Sequence, residues 1–108
     1  MGGIHRFAVI TGASAGLGAL FASRLAEQRY DLLLAARRQE RLSALKTELE
    51  ARHGVKVEVA AVDLAQQGEL DSFAQDVERR ARVDVLINNA GFGTRGVFWE
   101  TDYARQEE

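Results

Sequence analysis

The 108 residues of this sequence include no cysteine and no proline. Without cysteine the chain has no disulfide, no thiolate nucleophile and no thiolate metal ligand. Its two histidines, His5 and His53, lie far apart in the sequence, so we predict no metal site. No apolar run approaches the roughly 18 residues of a membrane-spanning helix, and the N-terminus lacks the apolar core of a signal peptide. These absences predict a cytoplasmic protein with no membrane partner.

The chain also lacks a strong charge of either sign. It has 16 acidic and 14 basic residues, which gives a formal net charge of −2. Such a balance provides no overall attraction to nucleic acid, and we predict no nucleic-acid partner. The composition, 46% apolar and 28% charged, is that of an ordinary globular protein, and the length allows one domain at most.

Short apolar runs alternate with helical patterns along the chain. The alternation predicts strands near 6–10, 31–36, 55–62 and 83–88, with helices near 16–28, 39–53 and 66–81. A β-α-β-α-β-α-β order predicts an α/β fold, a parallel sheet with helices on both faces. The apolar positions predicted to face the sheet are Leu17, Leu20, Phe21 and Leu25, then Leu42, Leu45 and Leu49, and finally Leu70, Phe73, Ala74 and Val77. Gly54 is expected to cap the second helix in the left-handed conformation.

The segment "VITGASAGLG", residues 9–18, places three glycines between the first strand and the first helix. Gly12 can adopt backbone angles that other residues avoid, Gly16 leaves room for a ligand, and Gly18 lets helix and strand approach closely. The free N–H groups at the start of the helix would then face a pyrophosphate. The alternative is a tight turn with incidental glycines, because such patterns also occur by chance.

Three segments together, "TGASAGLG", "AVDLA" around Asp63 and "INNAG" at 87–91, resemble the short-chain dehydrogenase/reductase family. They occur in that family's order and spacing, and the resemblance covers essentially the whole chain. The segments "LLLAARRQERL" and "VDVLINNAGFGTRGVF" look most like its general NADP-dependent oxidoreductases. The resemblance implies a Rossmann-type, doubly wound sheet of strand order 3-2-1-4. It also implies hydride transfer between a nicotinamide dinucleotide and a carbonyl or alcohol substrate.

The family match carries cofactor-binding roles over to particular positions. The glycine loop would surround the phosphates and the adenosine ribose, Asp63 and the Leu64 backbone would meet the adenine, and the segment 89–91 would lie beside the ribose and pyrophosphate. The resulting set of expected cofactor-binding residues is Gly12, Ser14, Ala15, Gly16, Leu17, Gly18, Arg37, Arg38, Asp63, Leu64, Asn89, Ala90 and Gly91. Two positions have structural alternatives: Asp63 as a cap of the turn after the third strand, and Asn88 as a tie for neighbouring backbone.

The end of the second strand indicates which dinucleotide binds. Dinucleotide folds specific for NAD usually place Asp or Glu there, on the ribose 2′-hydroxyl. This strand instead ends in Ala36 and is followed by Arg37 and Arg38, of which Arg37 can bind a 2′-phosphate bidentately. NADP(H) is therefore favoured over NAD(H), although Ala15 stands where many NADP-binding members carry a second basic residue. The alternative is that both arginines merely solvate the start of the second helix, where cations oppose the helix dipole.

The family's catalytic Ser and YxxxK residues have no counterpart in this sequence. Tyr30 precedes the second strand, and Tyr103 is followed four residues later by Glu107 rather than by lysine. The only lysines are Lys46 and Lys56, and no serine follows residue 72. We therefore assign no catalytic residue and expect residues 1–108 alone to be inactive.

We interpret residues 1–108 as the N-terminal part of a single NAD(P)-binding domain, truncated after the fourth strand and lacking the catalytic half. Nothing after residue 88 is expected to pair with the outer edge of that strand. A small carbonyl or alcohol substrate would bind only if the missing half completed the site, and a homo-oligomeric parent is left open. The alternative function is a stand-alone, non-catalytic nucleotide-binding or interaction module built on half of the fold.

Overall fold

The computed structural model describes residues 5–13, 16–80 and 82–88, together with the backbone of 97–100. Three helices and five strands alternate in this part of the chain. In order they are β1 (Phe7–Thr11), α1 (Gly16–Glu27), β2 (Asp31–Ala36), α2 (Gln39–His53), β3 (Val57–Ala61), α3 (Gln67–Glu78), β4 (Val85–Asn88) and β5 (Val97–Glu100).

The strands form one sheet of order β3-β2-β1-β4-β5, in which the first four are parallel. Val9 in the middle of β1 lies opposite Leu33 on one side and Leu86 on the other. The predicted α/β class and the 3-2-1-4 order are confirmed. Gly54 also takes its predicted left-handed cap, with φ of 71°, and its N–H donates to the carbonyl of Glu50.

The expectation that nothing after residue 88 pairs with the fourth strand is wrong. Strand β5 runs antiparallel to β4, with Trp99 opposite Leu86 and Phe98 opposite Ile87. The run Val97-Phe98-Trp99 consists of a β-branched and two aromatic residues, the types that favour a pleated strand. A short connection suffices for an antiparallel neighbour, whereas a parallel one needs a crossover.

Two hydrophobic layers cover the sheet because successive strand residues point to opposite faces. On one face Ile10 and Leu34 pack with Leu42 and Leu49 of α2 and with the small residues of α1. On the other face Val9 and Leu33 pack against α3 and its surroundings, through Leu64, Phe73, Val77 and Val83. Covered on both faces, the central strands read as the continuous apolar runs seen in the sequence.

Helix α1 faces the sheet with small residues rather than with its leucines. Its buried residues are Gly18, Ala22 and Ala26, while Leu17 and Leu20 are 55% and 48% exposed. The predicted inward orientation of those two leucines is therefore wrong. Close approach of the helix to the sheet requires small side chains at the contact, and this requirement sets the rotation of α1.

The other two helices agree better with the predicted faces. Leu42 and Leu49 are buried and Leu45 packs beside them. On α3, Phe73 and Val77 are buried and Leu70 packs against them, but Ala74 is exposed, contrary to the prediction. Within the described ranges, no helix combines the length and apolarity needed to cross a membrane.

Candidate functional site

The carboxyl ends of the four parallel strands lie at one edge of the sheet, the position where open α/β sheets bind ligands. The topology brings the described site residues to this edge from three separate places in the sequence. Those that the structure describes are Gly12, Gly16, Leu17, Gly18, Arg37, Arg38, Asp63 and Leu64. The predicted residues Ser14, Ala15, Asn89, Ala90 and Gly91 lie outside the described residues.

The turn between β1 and α1 has the backbone that its glycines were predicted to provide. Gly12 and Gly16 have φ of 66° and 60°, in the left-handed region that disfavours a side chain. A Cβ on Gly18 would overlap the carbonyl oxygen of Gly12, whereas a Cβ on Gly16 would meet no atom of the described residues within 4 Å. The turn is tied to the neighbouring strand by the N–H of Ala13, which donates to the carbonyl of Ala35 at 3.2 Å. Gly18 thus permits close packing, and the space beside Gly16 is open.

The N-terminus of α1 opens towards this space. The first N–H groups of a helix have no partner within the helix and carry a partial positive charge. The first turn of α1 contains no acidic residue that would satisfy or oppose this charge. Leu17 in the same turn is more than half exposed. This end of α1 can therefore accept an anion, with a large apolar side chain beside it.

Two arginines, Arg37 and Arg38, directly follow β2, the strand beside β1. Arg38 is the residue before α2, with φ of −95° and ψ of 103°, and its side chain makes no capping hydrogen bond. Both Arg37 and Arg38 are exposed, and neither pairs with a carboxylate within the described part of the chain. Two cations at a helix N-terminus oppose its dipole. A bound anion would relieve this opposition.

The turn after β3 is held by Asp63 and by a residue that the sequence analysis missed. One carboxylate oxygen of Asp63 accepts the N–H of Ala65 at 3.0 Å, so the predicted cap of this turn exists. The N–H of Asp63 donates to Oε1 of Glu69 at 2.7 Å, and its carbonyl accepts the N–H of Gln66. The second carboxylate oxygen of Asp63 makes no hydrogen bond to another described residue. The Leu64 side chain is buried, which leaves its backbone as the part available to a ligand. An acid in the first turn of α3 was the available signal for Glu69.

The ends of β1 and β4 are joined by a part-buried side-chain hydrogen bond. The Thr11 hydroxyl donates to Oδ1 of Asn88 at 2.8 Å, and Thr11 is only 4% exposed. Asn88 therefore links the ends of β1 and β4 through the Thr11 side chain, whereas its structural alternative was a tie to neighbouring backbone. Thr11 was not singled out from the sequence, although it directly precedes Gly12.

The described residues at this edge include no tyrosine–lysine pair. Tyr30 is buried just before β2, at the opposite edge of the sheet, where its hydroxyl accepts a hydrogen bond from Arg6 at 3.4 Å. Lys46 contacts the carbonyl of Val57 at the start of β3, also far from the site. Tyr103 lies outside the described residues. Nor do His, Asp and Glu residues of the described ranges form a group of three that could hold a metal ion.

Comparison with known proteins identifies clear relatives. Residues 6–108 match the family model of the short chain dehydrogenases. The very-long-chain 3-oxoacyl-CoA reductase of Candida glabrata is 36% identical over 90 residues, which cover 79% of this chain and 24% of that protein.

Two solved structures are similar to this chain in both sequence and fold. A short-chain dehydrogenase from Sphingobium yanoikuyae in complex with NADPH is 42% identical, with a TM-score of 0.77 over 80% of this chain and 34% of that one. An alcohol dehydrogenase from Thermococcus sibiricus complexed with 5-hydroxy-NADP is 38% identical, with a TM-score of 0.71 over 77% of this chain and 36% of that one. The chain thus spans about a quarter of the curated reductase and about a third of each solved structure.

Proposed function

The chain belongs to the short-chain dehydrogenase family, and from this premise we propose that it is the NADP(H)-binding part of an oxidoreductase. One observation carries the proposal: the glycine turn opens the N-terminus of α1 beside two arginines that have no acidic partner among the described residues. This arrangement fits a ligand with two separate anionic groups, a pyrophosphate and a 2′-phosphate.

The proposed binding roles follow the family resemblance and, for the described residues, also their positions at the carboxyl ends of the strands. The pyrophosphate lies on the glycine turn and the first turn of α1, over Gly12, Ser14, Ala15, Gly16, Leu17 and Gly18. The free carboxylate oxygen of Asp63 and the backbone of Leu64 meet the adenine, and Asn89, Ala90 and Gly91 lie beside the adenosine ribose. The dinucleotide, once bound, supplies or accepts the hydride. The protein residues bind and orient the dinucleotide, and the glycines leave room for it because they have no side chain.

NADP(H) is preferred to NAD(H) on electrostatic grounds. An acid at the end of β2 would repel a 2′-phosphate, and Ala36 stands there instead. Arg37, followed by Arg38, places a guanidinium where the phosphate would lie. Two of the solved relatives are named as complexes with NADPH or an NADP derivative, which supports the same choice.

The reaction we propose for the whole protein is hydride transfer with a carbonyl or alcohol substrate. We assign no catalytic residue to this chain, and we predict that residues 1–108 alone do not convert any carbonyl or alcohol substrate. The names of the relatives, a 3-oxoacyl-CoA reductase and an alcohol dehydrogenase, support this reaction class over a stand-alone, non-catalytic module. A cytoplasmic location and a homo-oligomeric parent remain predictions.

The test is a titration of the protein with NADPH and, separately, with NADH. Binding is monitored by the fluorescence of the cofactor. We expect tighter binding of NADPH, and in Arg37→Ala a loss of preference of about 10- to 150-fold, since a hydrogen bond to a charged group contributes about 1.5–3 kcal/mol. The control Arg52→Ala removes an exposed arginine near the far end of α2, where its contact to Glu48 is 3.9 Å. Equal affinities in the parent protein would contradict the proposal, as would an Arg52→Ala effect as large as that of Arg37→Ala.

A further inference from the structure

Strand β3 is the outer strand of the parallel part of the sheet, and only one of its sides is paired. The N–H of Leu32 donates to the carbonyl of Lys56, and the N–H of Val62 donates to the carbonyl of Ala36. Backbone groups of a strand point alternately to its two sides. The groups of the even-numbered residues therefore face β2, and those of Val57, Val59 and Ala61 face the open side.

Both open-side groups of Val57 are occupied by side chains of α2. The N–H of Val57 donates to Oε2 of Glu50 at 2.9 Å, and the carbonyl of Val57 accepts Nζ of Lys46 at 2.8 Å. The same two side chains bind each other at 2.9 Å. This three-way contact, the Lys46–Glu50 clasp, gives Val57 the one acceptor and one donor that a neighbouring strand would have given it.

The rest of the edge is not covered in this way. No hydrogen bond joins the open-side groups of Val59 and Ala61 to another described residue. Beside them, between β3 and α3, runs an apolar groove of about 320 Å³ whose lining includes Ala60, Val62 and Phe73. Unpaired backbone next to apolar surface is the combination that attracts another strand.

A second copy of this chain is the partner that fits the edge. If two copies of β3 lay antiparallel about Val57, each Val57 would exchange both backbone hydrogen bonds with its counterpart. Lys56 would then lie opposite Glu58 of the other copy, and this pair would occur twice. Glu58 already binds Arg80 through both carboxylate oxygens at 3.0 Å, so Lys56 would add a second cation beside that ion pair. The arrangement needs the two groups of Val57 that the clasp occupies.

We propose that the Lys46–Glu50 clasp closes the β3 edge against antiparallel addition of a second copy of this chain. The clasp acts as a substitute strand at Val57, the residue on which the pairing described above is centred. Natural sheets protect exposed edges with charged side chains. Here the charges do so by binding the backbone of the edge itself.

The test compares the double variant Lys46→Ala/Glu50→Ala with the double variant Glu48→Ala/Arg52→Ala. Each removes one i,i+4 ion pair from α2 and leaves the net charge unchanged, but the second pair is exposed and makes no hydrogen bond or ion pair with the residues of β3. Sedimentation velocity over a range of protein concentrations measures association. We expect the clasp variant to associate about tenfold more strongly than the parent protein or more, since it frees two edge hydrogen bonds. The control variant should behave as the parent protein does.

Two further measurements separate edge pairing from aggregation of unfolded protein. Amide exchange of Val57 should be slow in the parent protein and at least tenfold faster in the monomeric clasp variant. Val59 would lie opposite Val55 of the other copy, so Val59→Pro, which removes an open-side N–H without breaking the ladder to β2, should reverse the association when added to the clasp variant. The proposal is overturned if the clasp variant stays monomeric, if the control pair associates equally, or if Val59→Pro leaves the association unchanged.

Discussion

The hydroxyl of Thr11 and the side-chain oxygen of Asn88 lie 2.8 Å apart and join the carboxyl ends of two adjacent parallel strands. Backbone pairing of β1 and β4 ends at this pair, in which Thr11 lies opposite Asn88. Beyond it the chain leaves both strands, through the glycine turn on one side and through the segment 89–96 on the other. The hydrogen bond therefore fixes the spacing of the two strand ends that precede the segments proposed to hold the dinucleotide.

Thr11→Val tests the strength of this link. Valine keeps the shape of threonine but cannot donate, so the part-buried hydrogen bond to Oδ1 of Asn88 is lost. We expect the free energy of unfolding to fall by about 0.5–1.5 kcal/mol, the net contribution of a typical hydrogen bond. Urea unfolding followed by circular dichroism measures the change.

Thr47→Val is the matched control for this experiment. Its hydroxyl is exposed and donates to the carbonyl of Ser43, one turn earlier in the same helix. Surface substitutions of this kind usually change stability by about 0.5 kcal/mol or less. Equal losses of unfolding free energy in the two variants would show that the Thr11–Asn88 hydrogen bond contributes no more to stability than an exposed one.

Gly18→Ala tests the close approach of α1 to the glycine turn. The added Cβ would overlap the backbone oxygen of Gly12, and neither backbone segment can move without disturbing the sheet. We expect lower stability and at least a tenfold weaker binding of NADPH, because α1 and the turn must separate.

Gly68→Ala makes the same chemical change in α3, where the added Cβ would meet nothing within 4 Å. Alanine is favoured over glycine within helices by up to about 1 kcal/mol, so this variant should be as stable as the parent protein or slightly more stable. Binding of NADPH at parental strength by Gly18→Ala would contradict the role given to Gly18.

The sequence predicted best those features that depend on local chemistry. Helix α2 has its predicted bounds of 39 and 53, because a leucine pattern defines its buried face and Gly54 ends it. Strand β2 likewise has its predicted bounds, since five of its six residues are buried and apolar. The glycine turn was predictable because left-handed backbone angles select glycine.

Features that depend on tertiary distance were not predictable. The outward orientation of Leu17 and Leu20 follows from close contact of α1 with the sheet, which a count of large apolar residues does not register. Strand β5 was missed because its apolar run is short and its partner comes earlier in the sequence. The contact of Glu50 was not predictable because an acidic residue within a helix is ordinarily solvated.

The dependence of stability on pH should reveal the contact of Glu50. Its hydrogen bond from the Val57 backbone, and then the one from Lys46, lower the pKa of its carboxyl below the usual 4.5, with further attraction from Lys56. A carboxyl with a lowered pKa in the folded state stabilises the fold above its unfolded pKa, and this contribution disappears as pH falls through its folded pKa.

Glu50→Gln should therefore be less stable than the parent protein at pH 7, and the difference should shrink below pH 4.5. Urea midpoints measured at intervals between neutral pH and pH 3 follow the difference. Glu48→Gln, which removes an exposed carboxylate of the same helix, should show a smaller effect at neutral pH. If the difference in urea midpoint between the parent protein and Glu50→Gln became larger as the pH fell, the lowered pKa of the Glu50 carboxyl would be contradicted.

Glu69 should affect the adenine end of the proposed site more than the nicotinamide end. It accepts the N–H of Asp63 at 2.7 Å and so holds the turn that carries the proposed adenine contacts. Glu69→Ala should weaken binding of 2′,5′-ADP by about 2- to 10-fold, the effect of one ordinary hydrogen bond. Glu69→Gln, which keeps an acceptor oxygen, should bind nearly as the parent protein does.

Comparing two ligands shows whether Glu69 positions the Asp63 turn or supports the fold as a whole. Reduced nicotinamide mononucleotide contains no adenine, so its affinity should not change in Glu69→Ala if the residue acts only through the Asp63 turn. Asp71→Ala is the control, because Asp71 lies on the exposed side of the same helix and contacts only Gln67 among the described residues. If Glu69→Ala weakened both ligands by the same factor, Glu69 would support α3 as a whole, and Asp63 would lose its special link to the adenine.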